Sequence, residues 1–192
     1  MRARIAIRPA PRALAGGAIV LLAAAMLALR PSVIATQPVS PGMRTALLVL
    51  LYVAIGVASI LPPVPREEAR LSPAVVFVTG AITLATAWAI AGPTAPLSLS
   101  RFAVPLSLLA AVAEEACFRR LAYARLRRFG VPAAVVGAAL LFALVHVPAY
   151  GTAAFPVDLG AGLLFGWQRW ASGSWTAPAA THAAANLLAV MR

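Results

Sequence analysis

Two adjacent glutamates, Glu114 and Glu115, follow the apolar run Phe102 to Ala113 in a chain with only five acidic residues. Carboxylates kept in such surroundings are costly, and by default they mark a functional site. Arg119 follows at helical spacing. The two histidines of the chain lie in other apolar runs: His146 ends Val135 to Val145, and His182 sits with Asn186 inside Ala177 to Val190. An acid, two imidazoles and a carboxamide are the parts of general-base hydrolysis. A water deprotonated between Glu114 and His146 would attack a carbonyl, and His182 and Asn186 would donate to the oxyanion that forms.

The two glutamates cannot share one job. Neighbouring positions on a helix diverge by about 100°, so they face different surroundings. Arg119 stands four residues after Glu115, the favourable acid-before-base order, which makes Glu115 its partner. Glu114 is then left without a local countercharge in an apolar wall, as the candidate base. His182 and Asn186 are four apart and share a helix face, as do Phe142 and His146, which sets an aromatic ring one turn from the imidazole. Cys117 reads as a small apolar filler rather than a nucleophile. Asp158, following Pro156, reads as a first-turn acid favoured by a helix dipole. The competing structural reading is that the Glu–Arg pair and the histidines only lock a helix bundle through buried hydrogen bonds.

These residues need helices to position them, and the composition says where. Hydrophobic residues make up 62% of the 192 positions and the mean hydropathy is +0.90, against roughly 45–50% apolar residues in a soluble domain. The expectation is an all-α, multi-pass transmembrane bundle with its active site inside the membrane. Apolar stretches suggest seven spans, at about Ala13–Leu29, Thr45–Leu61, Pro73–Ala91, Phe102–Tyr123, Val131–Val147, Val157–Trp167 and Trp175–Met191. Pro31, Pro62-Pro63, Pro93 and Gly130-Val131-Pro132 punctuate them. Gly160, Gly162 and Gly166 in the short sixth span allow close helix approach. If the fourth and fifth spans form a hairpin at Gly130, Glu114 lies sixteen residues before the turn and His146 sixteen after it. At about 1.5 Å per residue the two side chains reach equal depth.

The net charge of +11 comes from sixteen basic residues, all arginine. They cluster between apolar runs rather than in a soluble domain, which argues against nucleic acid as a partner and for a membrane orientation. With the N-terminus in the cytoplasm of a cell whose inner membrane holds the protein, twelve arginines lie on or toward that side, Arg119, Arg120 and Arg169 among them. Arg30, Arg44, Arg101 and Arg192 fall outside. The basic start and the apolar segment to Leu29 read as a retained signal anchor. The segment Arg66-Glu67-Glu68-Ala69-Arg70 reads as a solvated loop. One cysteine excludes an intrachain disulfide framework. Residues 1–100 are expected to be N-terminal transmembrane helices and residues 101–192 the catalytic core.

Glu114-Glu115-Ala116-Cys117-Phe118-Arg119 resembles the E-E-x-x-x-R motif of the CPBP family, the CAAX-protease and bacteriocin-processing group also called Abi. Phe142 to His146 resembles its F-x-x-x-H motif, and His182 to Asn186 its H-x-x-x-N motif. Three motifs in order, on separate apolar spans, make a specific signal from about Arg101 onward. The resemblance implies an intramembrane endopeptidase related to the enzyme that trims prenylated CAAX termini. Glu114 and His146 would activate water, His182 and Asn186 would stabilise the oxyanion, and Glu115 and Arg119 would fill the remaining first-motif positions, with Phe142 in support. The implied partners are the lipid bilayer and a peptide or protein substrate, itself membrane-associated or not.

The chain departs from the family in two places. Arg120 stands where many members have glycine, which should crowd the local packing, and seven spans are counted where the best-known members have eight. The family label says metalloprotease, yet the chain has no H-E-x-x-H. Zinc held by Glu114, His146 and His182 is the alternative to metal-free water activation. A non-catalytic immunity or scaffold protein of the same fold is the alternative function, and a small transporter or proton relay a third.

Overall fold

The computed structural model of the protein describes residues 11–35, 40–91 and 102–190. Every regular element among them is helical. Helix α1 (Pro11–Ala28) is followed by the short α2 (Arg30–Ala35), then α3 (Pro41–Ile60) and α4 (Pro73–Ala91). Next comes a continuous rod made of α5 (Ala103–Glu115), a π-helical segment (Ala116–Ala122) and the single turn α6 (Tyr123–Leu126). Helices α7 (Val131–Tyr150), α8 (Phe155–Ser172) and α9 (Thr176–Val190) complete the bundle. The expected boundary at Pro93, and Arg2, Arg4, Arg8, Arg101 and Arg192 from the orientation count, lie outside the described residues.

The rods follow the apolar runs, but length and composition alone mark only α3 and α7 as helices able to cross a membrane. Ala15–Ala28 and Pro73–Ala87 are shorter apolar helices. Helix α8 carries Asp158, Gln168 and Arg169, and α9 has 15 residues. The outside of the bundle is apolar: Leu21, Leu50, Ile82, Leu144 and Val157 are all more than half exposed. Its inside holds Glu114, Glu115, Arg119, His146, Gln168, Arg169 and His182, all buried. That polarity is the reverse of a soluble domain, where so large an exposed apolar surface marks contact with a membrane or a partner.

One core runs through both halves of the chain. Ala23 and Leu27 of α1 and Tyr52 and Ile55 of α3 pack with Ala113, Cys117, Phe118, Phe142 and Phe165. Gly130 makes the α6–α7 turn at φ +102°, a conformation open to glycine at little cost. Helix α8 lies directly on α7, because a Cβ at Gly162 would meet the Ala139 backbone at 2.9–3.1 Å. Gly166 approaches Val135 in the same way, whereas Gly160 faces open space. Gln168 on α8 donates to the Val76 carbonyl on α4 and to Thr181 Oγ1 on α9 at 2.9 and 2.8 Å. This bridge fixes α9 one residue before His182.

Arg120 does not crowd its surroundings. Its guanidinium extends to the end of α3 and donates to the Ser59 and Pro62 carbonyls at 2.6 and 3.0 Å, satisfying acceptors that a helix end leaves unpaired. Nor is the segment from Arg66 to Arg70 simply solvated. The Arg70 and Leu71 amides both bond the Ala171 carbonyl. The Arg70 guanidinium donates to the Trp170 carbonyl, and Glu67 pairs with Arg127 at 3.4 Å.

Candidate active site

The hairpin expected at Gly130 brings Glu114 on α5 to His146 on α7, with Glu114 Oε2 3.6 Å from His146 Nε2. Helix α9 adds His182, whose Nε2 lies 4.0 Å from the same oxygen. Glu114, His146, His182 and Asn186 all line one cavity of about 290 Å³, together with Ser107, Tyr150 and residues of the N-terminal half. Four of the predicted residues therefore meet around a single space, which Glu115 and Arg119 do not line. Phe142 does not line it. Its ring is buried behind the site, 4.5 Å from the His146 ring and 5.6 Å from the His182 ring by centroids.

Hydrogen bonds place a proton on Nδ1 of each imidazole. His146 Nδ1 is 2.7 Å from the Phe142 carbonyl one turn back. A carbonyl only accepts, so Nδ1 carries a proton, and Nε2, which faces Glu114, is the atom that is bare whenever the ring is neutral. His182 Nδ1 is 3.0 Å from Glu115 Oε1, so it donates there. Both rings thus turn their Nε2 atoms toward Glu114 Oε2 and the cavity.

Glu115 has a different environment. Its Oε1 accepts from Arg119 Nη1 at 2.9 Å, and both side chains are fully buried. The Arg119 guanidinium also donates to the Gly162 carbonyl at 3.2 Å and lies over the Phe142 and Phe165 rings, at 4.4 and 5.1 Å. Its neighbours belong to the π-helical segment, where the Tyr123 amide bonds the Phe118 carbonyl five residues back. Such widened turns are rare and concentrate at functional sites. Asn186 spends one amide hydrogen on the Ser107 carbonyl of α5, at 3.0 Å. Its side chain is thereby held at the cavity wall.

Glu114 is not without a countercharge. Arg30, 84 residues earlier, places Nη1 3.3 Å from Glu114 Oε1 and donates to the Tyr52 hydroxyl at 2.8 Å. The charge count puts Arg30 on the outer side of the membrane, whereas the fold turns it inward. Arg30 is 8% exposed and lines the cavity. Arg119 and Arg169 are likewise buried and act as internal donors rather than loop anchors; Arg169 Nε donates to the Arg119 carbonyl.

Tetrahedral zinc ligands at about 2.0–2.1 Å from the ion stand about 3.3–3.4 Å apart, so a zinc ion would have to draw Glu114 Oε2 and the two Nε2 atoms in from 3.6 and 4.0 Å. The Arg30 cation lies against the other oxygen of the candidate carboxylate ligand. Among the described residues no group of three or more His, Cys, Asp or Glu side chains is arranged to hold a metal ion. Asp158 stands in the first turn of α8. Cys117 is fully buried in the apolar core.

Residues 96–188 match the family model described as type II CAAX prenyl endopeptidase, Rce1-like. No curated protein and no solved structure matches the chain.

Proposed function

From the premise that the chain belongs, through residues 96–188, to the CAAX-protease (CPBP) family of membrane peptidases, we propose that it hydrolyses a peptide bond with water activated between Glu114 and His146. The observation that carries this reading is the meeting of two acceptors. The Nε2 of His146, bare when the ring is neutral, and the Oε2 of Glu114 face each other at 3.6 Å, while His146 Nδ1 is committed to the Phe142 carbonyl. A water that offers one hydrogen to each satisfies both atoms. It is thereby oriented with its lone pair toward the cavity.

In the reaction Glu114 takes a proton from this water, and the oxygen attacks the scissile carbonyl carbon. The carbonyl electron pair moves to its oxygen, where the remaining amide hydrogen of Asn186 and a proton on His182 Nε2 receive the charge. His182 Nδ1–H is already given to Glu115, so donation from Nε2 requires the ring to carry both protons, with Glu115 as its countercharge. Collapse of the intermediate breaks the C–N bond, and the proton held by Glu114 passes to the leaving amine. Arg119 and Phe142 act by holding Glu115 and the two rings in place.

The substrate proposed is a membrane-associated peptide or protein. The protein would sit as a multi-pass protein of the inner membrane, with its N-terminus in the cytoplasm. Exposed loop arginines such as Arg66, Arg70 and Arg128 support that orientation. Quantitative peptidomics of cells carrying wild-type protein, Glu114→Gln or His146→Ala tests the activity. The products made by wild type should vanish in both variants while each still inserts and folds. Persistence of those products in either variant would sink the mechanism, and a partner-binding or protective phenotype retained by Glu114→Gln would favour the non-catalytic reading.

A further inference from the structure

The N-terminal half of the chain reaches the site through Arg30 and Tyr52, which both line the cavity. Pro31 lacks a backbone N–H and cannot continue the hydrogen-bond ladder of α1. The chain turns there: the Ser32 amide bonds the Leu29 carbonyl and α2 begins at Arg30. Arg30 lines the cavity, and its guanidinium carbon lies 5.8 Å from the centre of the Tyr150 ring. Both Arg30 and Tyr52 lie outside the matched segment, residues 96–188.

The two oxygens of Glu114 are given different partners. Oε1 is 3.3 Å from Arg30 Nη1, and Oε2 faces the His146 and His182 Nε2 atoms at 3.6 and 4.0 Å. The terminal torsion of a glutamate is broad and nearly two-fold, so an unanchored carboxylate turns easily about it. The same Nη1 donates to the Tyr52 hydroxyl at 2.8 Å, which ties the guanidinium to α3. We infer that Arg30, braced by Tyr52, is a positioning residue that takes one Glu114 oxygen and so aims the other at the two imidazoles. This rests on the reading of Glu114 as the base. It makes the site composite, since the matched segment holds the reacting groups and α2 and α3 set the angle of the carboxylate.

The chain has four glutamates, Glu67, Glu68, Glu114 and Glu115. Carboxyl-13C glutamate labelling of the whole chain in detergent therefore gives four side-chain signals, and Glu114→Gln identifies the one from Glu114. That signal should move in Arg30→Gln and, by less, in Tyr52→Phe. On an internally quenched peptide bearing a farnesylated CAAX-type terminus, Arg30→Gln should lower kcat by about 10²-fold with KM within about threefold, and Arg30→Lys should keep kcat within about tenfold of wild type. A Glu114 signal that stays in place in both variants overturns the inference. So does wild-type kcat in Arg30→Gln, or a loss carried by KM alone. Wild-type protein that leaves the peptide intact would overturn the peptidase reading instead, and the Glu114 signal then decides the Arg30 contact by itself.

Discussion

Replacing Glu115 by glutamine removes one charge from a pair that has no access to solvent, with both side chains at 0% exposure and 2.9 Å apart. Breaking such a pair by deleting one partner costs about 3–5 kcal/mol, because the other charge stays buried and uncompensated. Arg119 retains some support: the Gly162 carbonyl at 3.2 Å and the faces of Phe142 and Phe165. Glutamine also keeps one acceptor oxygen, and the guanidinium and His182 Nδ1 already share a single oxygen, Oε1, in the native protein. The lower end, about 3 kcal/mol, is therefore expected. At about 2–4 °C per kcal/mol for a chain of this size, the unfolding midpoint should fall by about 6–12 °C. The assay is thermal unfolding in detergent micelles, run beside Glu114→Gln. That substitution frees an arginine which keeps its bond to Tyr52 and borders the cavity, so its midpoint should fall less. A Glu115→Gln midpoint equal to or above that of Glu114→Gln would refute the division of labour between the two carboxylates.

Gly162→Ala should cost about 1–3 kcal/mol, because its new Cβ would press on the Ala139 backbone and drive α8 from α7. Gly160→Ala, facing open space, should leave the unfolding midpoint unchanged or slightly higher, and equal behaviour of the two variants would contradict the packing. Treatment with a strong chelator should leave cleavage unchanged, and metal analysis of the purified protein should find no stoichiometric zinc. Loss of activity that returns on adding zinc would reverse the reading of the Glu114, His146 and His182 geometry.

The parts of the site legible in the sequence were those set by helical spacing. Glu115 and Arg119 are one turn apart and pair as that spacing predicts. Glu114 and His146 lie equally far from Gly130, and a tight turn there leaves them 3.6 Å apart. Arg30 was not legible, because no local pattern links a residue after the first apolar run to one 84 positions later. The only sign was an arginine set between that run and Pro31. The π-helical segment has no composition that announces it. The arginine count has a more general weakness. It weighs buried arginines together with loop charges: Arg30 and Arg169, like the Arg119 that spacing pairs with Glu115, are buried donors that satisfy a carboxylate or backbone carbonyls inside the bundle. Arginine suits both roles, since its planar fork bonds several acceptors at once and its stem covers apolar surface.

Adjacent glutamates are what a helix needs to serve two environments from one turn. The rotation between them sends Glu115 toward α8 and α9, where Arg119 and His182 meet it. It sends Glu114 toward the cavity, where Arg30 and His146 meet it. Glu115 thus joins the π-helical segment to α9 through His182, and Arg119 joins that segment to α8 through Gly162. A helix that slipped by one residue would rotate by about 100° and leave those charges buried without partners. The network sets the register of three helices, and that register is what holds the His182 ring with its Nε2 turned to Glu114. Structural pairing and chemistry are therefore not rival readings of this constellation, since the pair that locks the bundle is also the one that orients an imidazole of the site.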